Sequence, residues 1–257
     1  MQAPAVLHAP IAQGATAVAA LLVNACDEDG PGISIPRPEV QIVARFGPSA
    51  RGGLDVHAMG VRRTVHRKLL RGGHRAVTAR LQLGASEAVL GVRASALGGR
   101  IVALEELWGS AATRRLLDRL AAARDASDAA AALEGAINER LGAADGLRAA
   151  ARLAVSAAER LPRATVHAVA ADLGVSERHL RRVFRETVGV GPKTFARLIR
   201  FHRALGAARA GRREGWAGIA AAAGYYDQAH LIAEFRAIAG VTPQALLGEL
   251  RAAPMLG

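Results

Sequence analysis

The sequence predicts an α+β protein. A mixed α/β N-terminal part, residues 1–145, precedes an all-α part, residues 146–257, in which two helix-turn-helix units are joined by a linker helix. Three observations predict it. A helix–glycine–cap–helix pattern occurs twice in the second part, with its caps, Ser176 and Asp227, 51 residues apart and each copy closed by a Gly-Val-x-Pro run. The first part carries short apolar runs separated by glycines. Positive charge is concentrated in the second part, which holds 17 Lys+Arg against 8 Asp+Glu, where the first holds 17 against 14.

Residues 1–38 carry the weakest signals. Ala15 to Ala25 reads equally as a short helix or a buried strand, and Asp27 to Gly32 reads as a turn or loop. Glu39–Phe46, Leu54–Met59 and Ala76–Leu83 are expected strands. In the first, Val40, Ile42 and Ala44 alternate with Gln41, Val43 and Arg45, the period of two that a strand gives. Gly47-Pro48, Gly52-Gly53 and Gly72-Gly73 separate the runs, so a small antiparallel sheet or partial barrel is expected. From Gly84 the pattern turns helical. Ser86 is a candidate cap for Glu87–Leu90, and the apolar run Ile101–Gly109 follows. Helices are expected at Ala111–Ala123, with Leu116, Leu117 and Leu120 inward, and at Ser127–Leu141. Gly142 to Gly146 is the expected linker between the parts.

Leu147–Leu161 is expected as the first helix of the second part. Beyond it, Val166, Val169, Ala170 and Leu173 fall at i, i+3, i+4 and i+7, one apolar helix face. Gly174 supplies the positive φ of a tight turn, and Ser176 caps the next helix. That helix points Leu180, Val183 and Phe184 one way and Arg178, Arg181, Arg182 and Arg185 the other. Four like charges on an exposed face repel, so the isolated fold gains nothing from them. A partner dense in phosphate and guanine acceptors compensates them. In the second unit Ile219, Ala220 and Ala223 form the short apolar face, Gly224 the turn and Asp227 the cap. Leu231, Phe235 and Ile238 form the inner face of the helix that follows. Pro192 and Pro243 suit the first turn of a following helix. A long helix fits between the units, with Phe195, Leu198, Ile199, His202 and Leu205 on one face.

The run Ala220 to Pro243, A-x-x-x-G-Y-x-D-Q-x-H-L-x-x-x-F-R-x-x-x-G-V-T-P, joined to a first unit by a linker helix, resembles the AraC/XylS transcription regulators. The resemblance spans Leu147 to Leu250, about two fifths of the chain. It implies a sequence-specific DNA-binding regulator whose recognition helices, about 176–187 and 227–238, enter major grooves roughly 34 Å apart. Double-stranded DNA is then the partner, with Arg178, Arg181, Arg182, Gln228 and His230 on base edges. Arg185, Lys193, Thr194, Thr242 and Gln244 are placed on phosphates. The sequence departs from the pattern at Ala233, where many relatives carry an arginine, and Glu234 beside it is expected to meet phosphate repulsion if it points at the DNA backbone. The segment Gly91–Leu97 through Leu104–Gly109 is similar to the N-terminal half of one subgroup. That likeness implies sensing of an unidentified small-molecule effector or homodimerisation, with RNA polymerase as a further partner.

Other chemistry finds little footing. His57, His66 and His74 lie among the expected strands but form no H-x-H or H-x-x-x-H pair, so no metal is expected and they read as surface or core histidines. The single cysteine, Cys26, excludes an intrachain disulfide, cannot build the cysteine cluster of the DNA-repair regulators that share this module, and fits a reducing cytoplasm. Trp108 and His202 read as core residues, and Arg212-Arg213 as a loop near phosphate or free in solvent. Gly98-Gly99-Arg100 and Gly52-Gly53 lack the Lys-Ser/Thr context of a phosphate loop, so no nucleotide cofactor is expected. No leader pattern is visible, and Ala15–Ala25 is too short to span a bilayer, so a cytoplasmic protein without membrane partner is expected. Two rivals to a regulator stand: an enzyme or metal-binding N-terminal part fused to a DNA-binding module, and an architectural protein that coats DNA without sequence choice. No catalytic residues are expected.

Overall fold

The computed structural model of the chain describes residues 16–142, 149–211, 215–253 and 255–256. Its first part opens with β1 (Val18–Cys26), β2 (Gly30–Ser34), β3 (Gln41–Phe46), β4 (Leu54–Met59), β5 (His66–Leu70) and β6 (His74–Leu81). α1 (Ser86–Leu90), α2 (Ala94–Leu97), β7 (Ile101–Ala103), α3 (Leu104–Trp108), α4 (Ser110–Ala121) and α5 (Ala126–Gly142) complete it. The helical part runs α6 (Ala149–Arg160), α7 (Val166–Asp172), α8 (Glu177–Val188), α9 (Pro192–Arg209), α10 (Gly215–Ala223), α11 (Gln228–Ala239) and α12 (Pro243–Ala252), and closes with β8 (Met255–Leu256). Residues 143–146 of the expected linker, the start of the expected helix at Leu147, and Arg212-Arg213 lie outside the described residues.

Five strands form an antiparallel sheet in the order β1-β6-β3-β4-β7. Within the run Ala15–Ala25 the residues from Val18 on are strand, while Ala15 lies outside the described residues. The expected alternation of β3 does not separate core from solvent, because Gln41 to Ala44 are all buried. Its second face is covered too, with Val43 flanked by the buried His57 and Thr78 across the ladder. A second sheet, β5-β2-β8, was hidden by composition. The stretch expected as a turn, Gly30-Pro31-Gly32, pairs with Leu70, Leu69 and Lys68. Pro31 is tolerated because β8 pairs only with Ile33 and Ser34, so no partner on that side needs its missing N–H. At Gly32 a Cβ would stand 2.8 Å from a Leu256 methyl and 2.9 Å from a Leu70 methyl, so a larger residue there would require those side chains to shift.

One helix-start expectation changes. Ser86 does not cap α1; the cap position is Ala85, and the Ser86 hydroxyl donates to the Val92 carbonyl at 3.1 Å. The run Ile101–Gly109 divides into edge strand β7 and α3, which ends at Gly109 with φ 78°. Trp108 is buried, donates from Nε1 to the Val89 carbonyl at 2.9 Å and lies under the Arg140 guanidinium.

Two apolar cores hold the molecule, and each draws on both parts of the chain. The first joins Ile42, Ala58, Ala79 and Leu81 of the large sheet to Leu133 and Ile137 of α5, and then to Phe184, Phe195 and Leu198 of the first helix-turn-helix region. The second joins Ile33 and Ile35 at β2 to Phe201, Leu205, Phe235 and Leu246. α9 therefore threads both. Phe195 meets Phe184 edge-on at 5.3 Å, and two turns later Phe201 meets Phe235 at 4.6 Å. Polar ties follow the same seam. The Val65 N–H donates to the Ile238 carbonyl at 2.8 Å, Arg67 binds Glu249 at 2.8 Å and the Ala239 carbonyl at 2.9 Å, and His202 Nε2 donates to the Pro36 carbonyl at 2.6 Å.

His202 sits among cations as well as under Pro36. Desolvation, helped by Arg37 and Arg80 and opposed by the Pro36 hydrogen bond, brings its pKa down to about 4. Buried His57 also falls to about 4, through desolvation and then the Arg45 charge, against the pull of Asp55. His74 shifts in the same direction for the same leading reason. Each folded pKa lies below the unfolded value of 6.5. The unfolded chain therefore takes up protons that the fold refuses once the pH drops below 6.5, and stability falls until the folded groups themselves titrate. The urea midpoint should be flat above about pH 7 and fall between about 6.5 and 4.5, a window above the range in which the lowered carboxylate of Asp55 titrates. His202→Gln, which keeps a donor for Pro36, should flatten part of that slope; a midpoint constant across the window would contradict this account.

Candidate nucleic-acid interface

The first unit is assembled as its residues require. The Thr165 hydroxyl accepts from the Ala168 N–H at 3.2 Å and starts α7, and Gly174 turns the chain with φ 65°. The Ser176 hydroxyl accepts from the His179 N–H at 3.2 Å and starts α8. Leu180, Val183, Phe184 and Val188 are buried. On the opposite face Arg178, Arg182 and Arg185 are exposed and Arg181 is partly covered.

That stripe is not as uncompensated as spacing alone implies. Glu177 binds Arg181 and also approaches His167 Nδ1 at 3.2 Å, and these two partners hold its carboxyl below the usual range. Glu186 binds Arg182 at 3.5 Å and Arg93 of the N-terminal part at 3.2 Å. Exposed i,i+4 pairs are screened by solvent and contribute little, so the arginines are readily released to another anion. Among the described residues Arg178 and Arg185 have no acidic partner.

The second unit has the same frame and a different surface. Gly224 turns with φ 88°, and the Asp227 carboxylate accepts from the His230 N–H at 2.7 Å. Gln228, Ala229, His230 and Ala233 are exposed. The His230 ring stands edge-on to Tyr225 at 5.3 Å, and its Nδ1 accepts a long 3.5 Å bond from the Tyr226 N–H, which leaves Nε2 as the ring's donor. Buried Tyr225, beneath the Arg200 guanidinium, has its hydroxyl pKa pushed up by desolvation and then by Glu234. Glu234 is turned away from the outer face: it is 15% exposed and bound by Arg197 of α9 at 2.9 Å. The expected repulsion with phosphate therefore does not arise. Tyr226, 93% exposed at the turn, escaped the sequence reading because it lies outside any apolar period.

The helix N-termini differ in the same way. Gly191 leaves the start of α9 without a side-chain cap, so its orphan N–H groups have no capping acceptor, beside exposed Lys193 and half-buried Thr194. At α12 the Thr242 hydroxyl oxygen already accepts from the Ala245 N–H at 3.3 Å, so only its O–H remains for a ligand, next to exposed Gln244.

Arg181, Arg185, Lys193 and Thr194 line one cleft of about 680 Å³ together with Val61–Thr64, His66, Gly98 and Gly99. Gln228, His230, Thr242 and Gln244 are not part of it. Sequence spacing had no means of finding the N-terminal wall. Of the three histidines weighed for a metal, His57 and His74 are buried while His66 faces the cleft. Among the described residues no three His, Cys, Asp or Glu side chains gather as a metal group. Cys26 is half-buried with its Sγ 2.8 Å from the Glu28 carbonyl. Among the described residues no helix is long and apolar enough to cross a membrane.

Residues 169–249 match the family model of the helix-turn-helix domain. No curated protein sequence matches the chain. Among solved structures, the C-terminal domain of AraT, a response regulator from Geobacillus stearothermophilus, is 20% identical, covering 43% of this chain and 92% of that one, with a TM-score of 0.37. ToxT from Vibrio cholerae is 11% identical, covering 89% of this chain and 96% of that one, with a TM-score of 0.48. The unsaturated-fatty-acid-bound form of ToxT gives 11%, 92%, 98% and 0.48 in the same order. Paired helix-turn-helix units with capped second helices and a matching domain model define a DNA-binding transcription regulator. The matched residues, 169–249, run from α7 to α12 and so take in both units and the helix between them.

The caps fix where the exposed side chains of α8 and α11 begin. Ser176→Ala and Asp227→Ala should each lower stability by about 1 kcal/mol, within a range of about 0.5–2. Asp227→Asn, which keeps the acceptor, should restore most of it. Thermal melts of the three variants check this.

Proposed function

We propose that the protein regulates transcription by reading specific DNA sequences in the major groove with α8 and α11. The observation that carries this reading is the outer face of α8: four arginines on a helix pinned by a side-chain cap outside and Leu180, Val183 and Phe184 inside. Arg178, Arg181 and Arg182 act on base edges, where a guanidinium matches guanine O6 and N7. Gln228 suits adenine, and His230 Nε2 donates to a single acceptor. Arg185, Lys193, Thr194, Thr242 and Gln244 hold phosphates, the orphan N–H groups of α9 adding to them. The N-terminal part, residues 1–145, serves effector sensing or self-association, with RNA polymerase and a second copy as partners in a cytoplasmic, non-enzymatic role.

The division of labour is unequal. α8 offers charged, bidentate donors, whereas α11 offers one amide and one imidazole and spends Glu234 on Arg197. The expected operator has a guanine-containing block under the first unit and a looser, A/T-tolerant block under the second. Selection of duplexes from a random library at physiological salt should return that asymmetric pattern. Arg182→Ala should then relax preference at one position by roughly 1–3 kcal/mol, and Gln228→Ala by less. Equal information under both units would contradict this assignment, and affinity indifferent to sequence would favour an architectural protein.

A further inference from the structure

We propose that the N-terminal part itself contacts DNA, through Arg62 and Arg63, which clamp the phosphate strand running past Arg185, Lys193 and the start of α9. The inference rests on the DNA-binding reading above and extends it to a segment outside the matched domain. The cleft between the parts is walled by Arg62 and Arg63 on one side and by Arg181, Arg185 and Lys193 on the other. Among the described residues no acidic side chain lines it, and neither Arg62 nor Arg63 has an acidic partner. Arg62 is half-buried and Arg63 exposed. His66, also in the wall, is held below its ordinary range by desolvation and by the Arg62 charge, so it adds no compensating group and no cation at neutral pH.

Of the five cations facing the gap Arg181 is bound by Glu177, and the other four cost the fold repulsion with no acidic partner among the described residues to offset it. A polyanion in the gap reverses the sign. The surroundings favour a phosphodiester strand over a free anion, because one wall is the recognition helix and the start of α9, which lines the cleft and whose orphan N–H groups no side chain caps. The opposite wall is tied down by the Val65–Ile238 hydrogen bond and the Arg67–Glu249 pair, so Arg62 and Arg63 are presented on a fixed segment. The N-terminal part then contributes affinity without reading bases, since phosphate contacts carry no sequence information.

The test uses the full chain and the duplex recovered by selection, with affinity measured across a salt series. Removing one phosphate-binding cation lowers the slope of log affinity against log salt by about 0.9. Arg62→Ala/Arg63→Ala should therefore flatten the slope by roughly 2 and weaken binding to all duplexes alike, leaving base preference intact. Arg114→Ala/Arg115→Ala, an equal charge change on α4 of the same part, should leave the slope near wild type. Arg63→Glu, at the exposed position, should weaken binding further while the melting temperature holds. A slope unchanged from the control pair would overturn the proposal. So would tighter binding by the variant, which would make the segment a shield over α8, or an unchanged slope with a melting temperature raised by inorganic pyrophosphate, which would assign the cleft to a free anion. Failure of the wild type to bind any selected duplex would overturn the DNA reading itself.

Discussion

The structure depends on one constraint: α9 has to be buried twice. Its first two turns place Phe195 and Leu198 in the core shared with the large sheet, and its next two place Phe201, Ala204 and Leu205 in the core shared with β2. A helix with apolar residues in two cores is fixed in both position and rotation. The units that pack on it inherit that fixity, the first through Phe184 on Phe195 and the second through Phe235 on Phe201. Truncating a buried phenylalanine to alanine costs about 3–5 kcal/mol, so each aromatic junction is a large share of a net stability of about 5–15 kcal/mol.

The same constraint explains why the N-terminal part is more than an appendage. Gly84 lies so close to α6 that a Cβ there would stand 2.9 Å from Ala151, and Gly189 approaches the Ala94 carbonyl, where a Cβ would stand at 3.2 Å. Such approaches lock the first unit against α1 and α2. The second unit is held by β2, β5 and β8 and by His202 on Pro36. A ligand or a second copy acting on the N-terminal part would therefore act on the spacing of α8 and α11, the quantity that a two-unit reader depends on.

The helical part was legible because its signals are local. Apolar residues at three- and four-residue spacing, a glycine with positive φ and a side-chain cap lie within a dozen residues of one another, and each functions where the spacing put it. Ser86 failed as a cap because α1 already starts at Ser86, with Ala85 at the cap position, and the Ser86 hydroxyl donates instead to the Val92 carbonyl. β2 was hidden because Gly30-Pro31-Gly32 has turn composition, and only non-local partners, Leu70 and Leu256, make it a strand. At the interface, the arginine stripe was visible, whereas its restraint by Arg93 through Glu186 was not. The pairs Glu177–Arg181 and Arg182–Glu186 did stand in the sequence at i,i+4 and were readable. The capture of Glu234 by Arg197, 37 residues earlier, needed the fold.

The central claim, that α9 makes the two parts one cooperative unit, is tested most directly by unfolding. The chain has two tryptophans, and they report on different cores: Trp108 lies in the first, and Trp216 packs against the second. Urea titration of Trp216→Phe follows the first core, and that of Trp108→Phe the second. Once the midpoints are corrected for each variant's own stability by a common far-ultraviolet signal, the account predicts coincident transitions for tryptophan fluorescence and helix content in both proteins. Separate transitions, with the helical signal of the second unit surviving after the first core has melted, would contradict it.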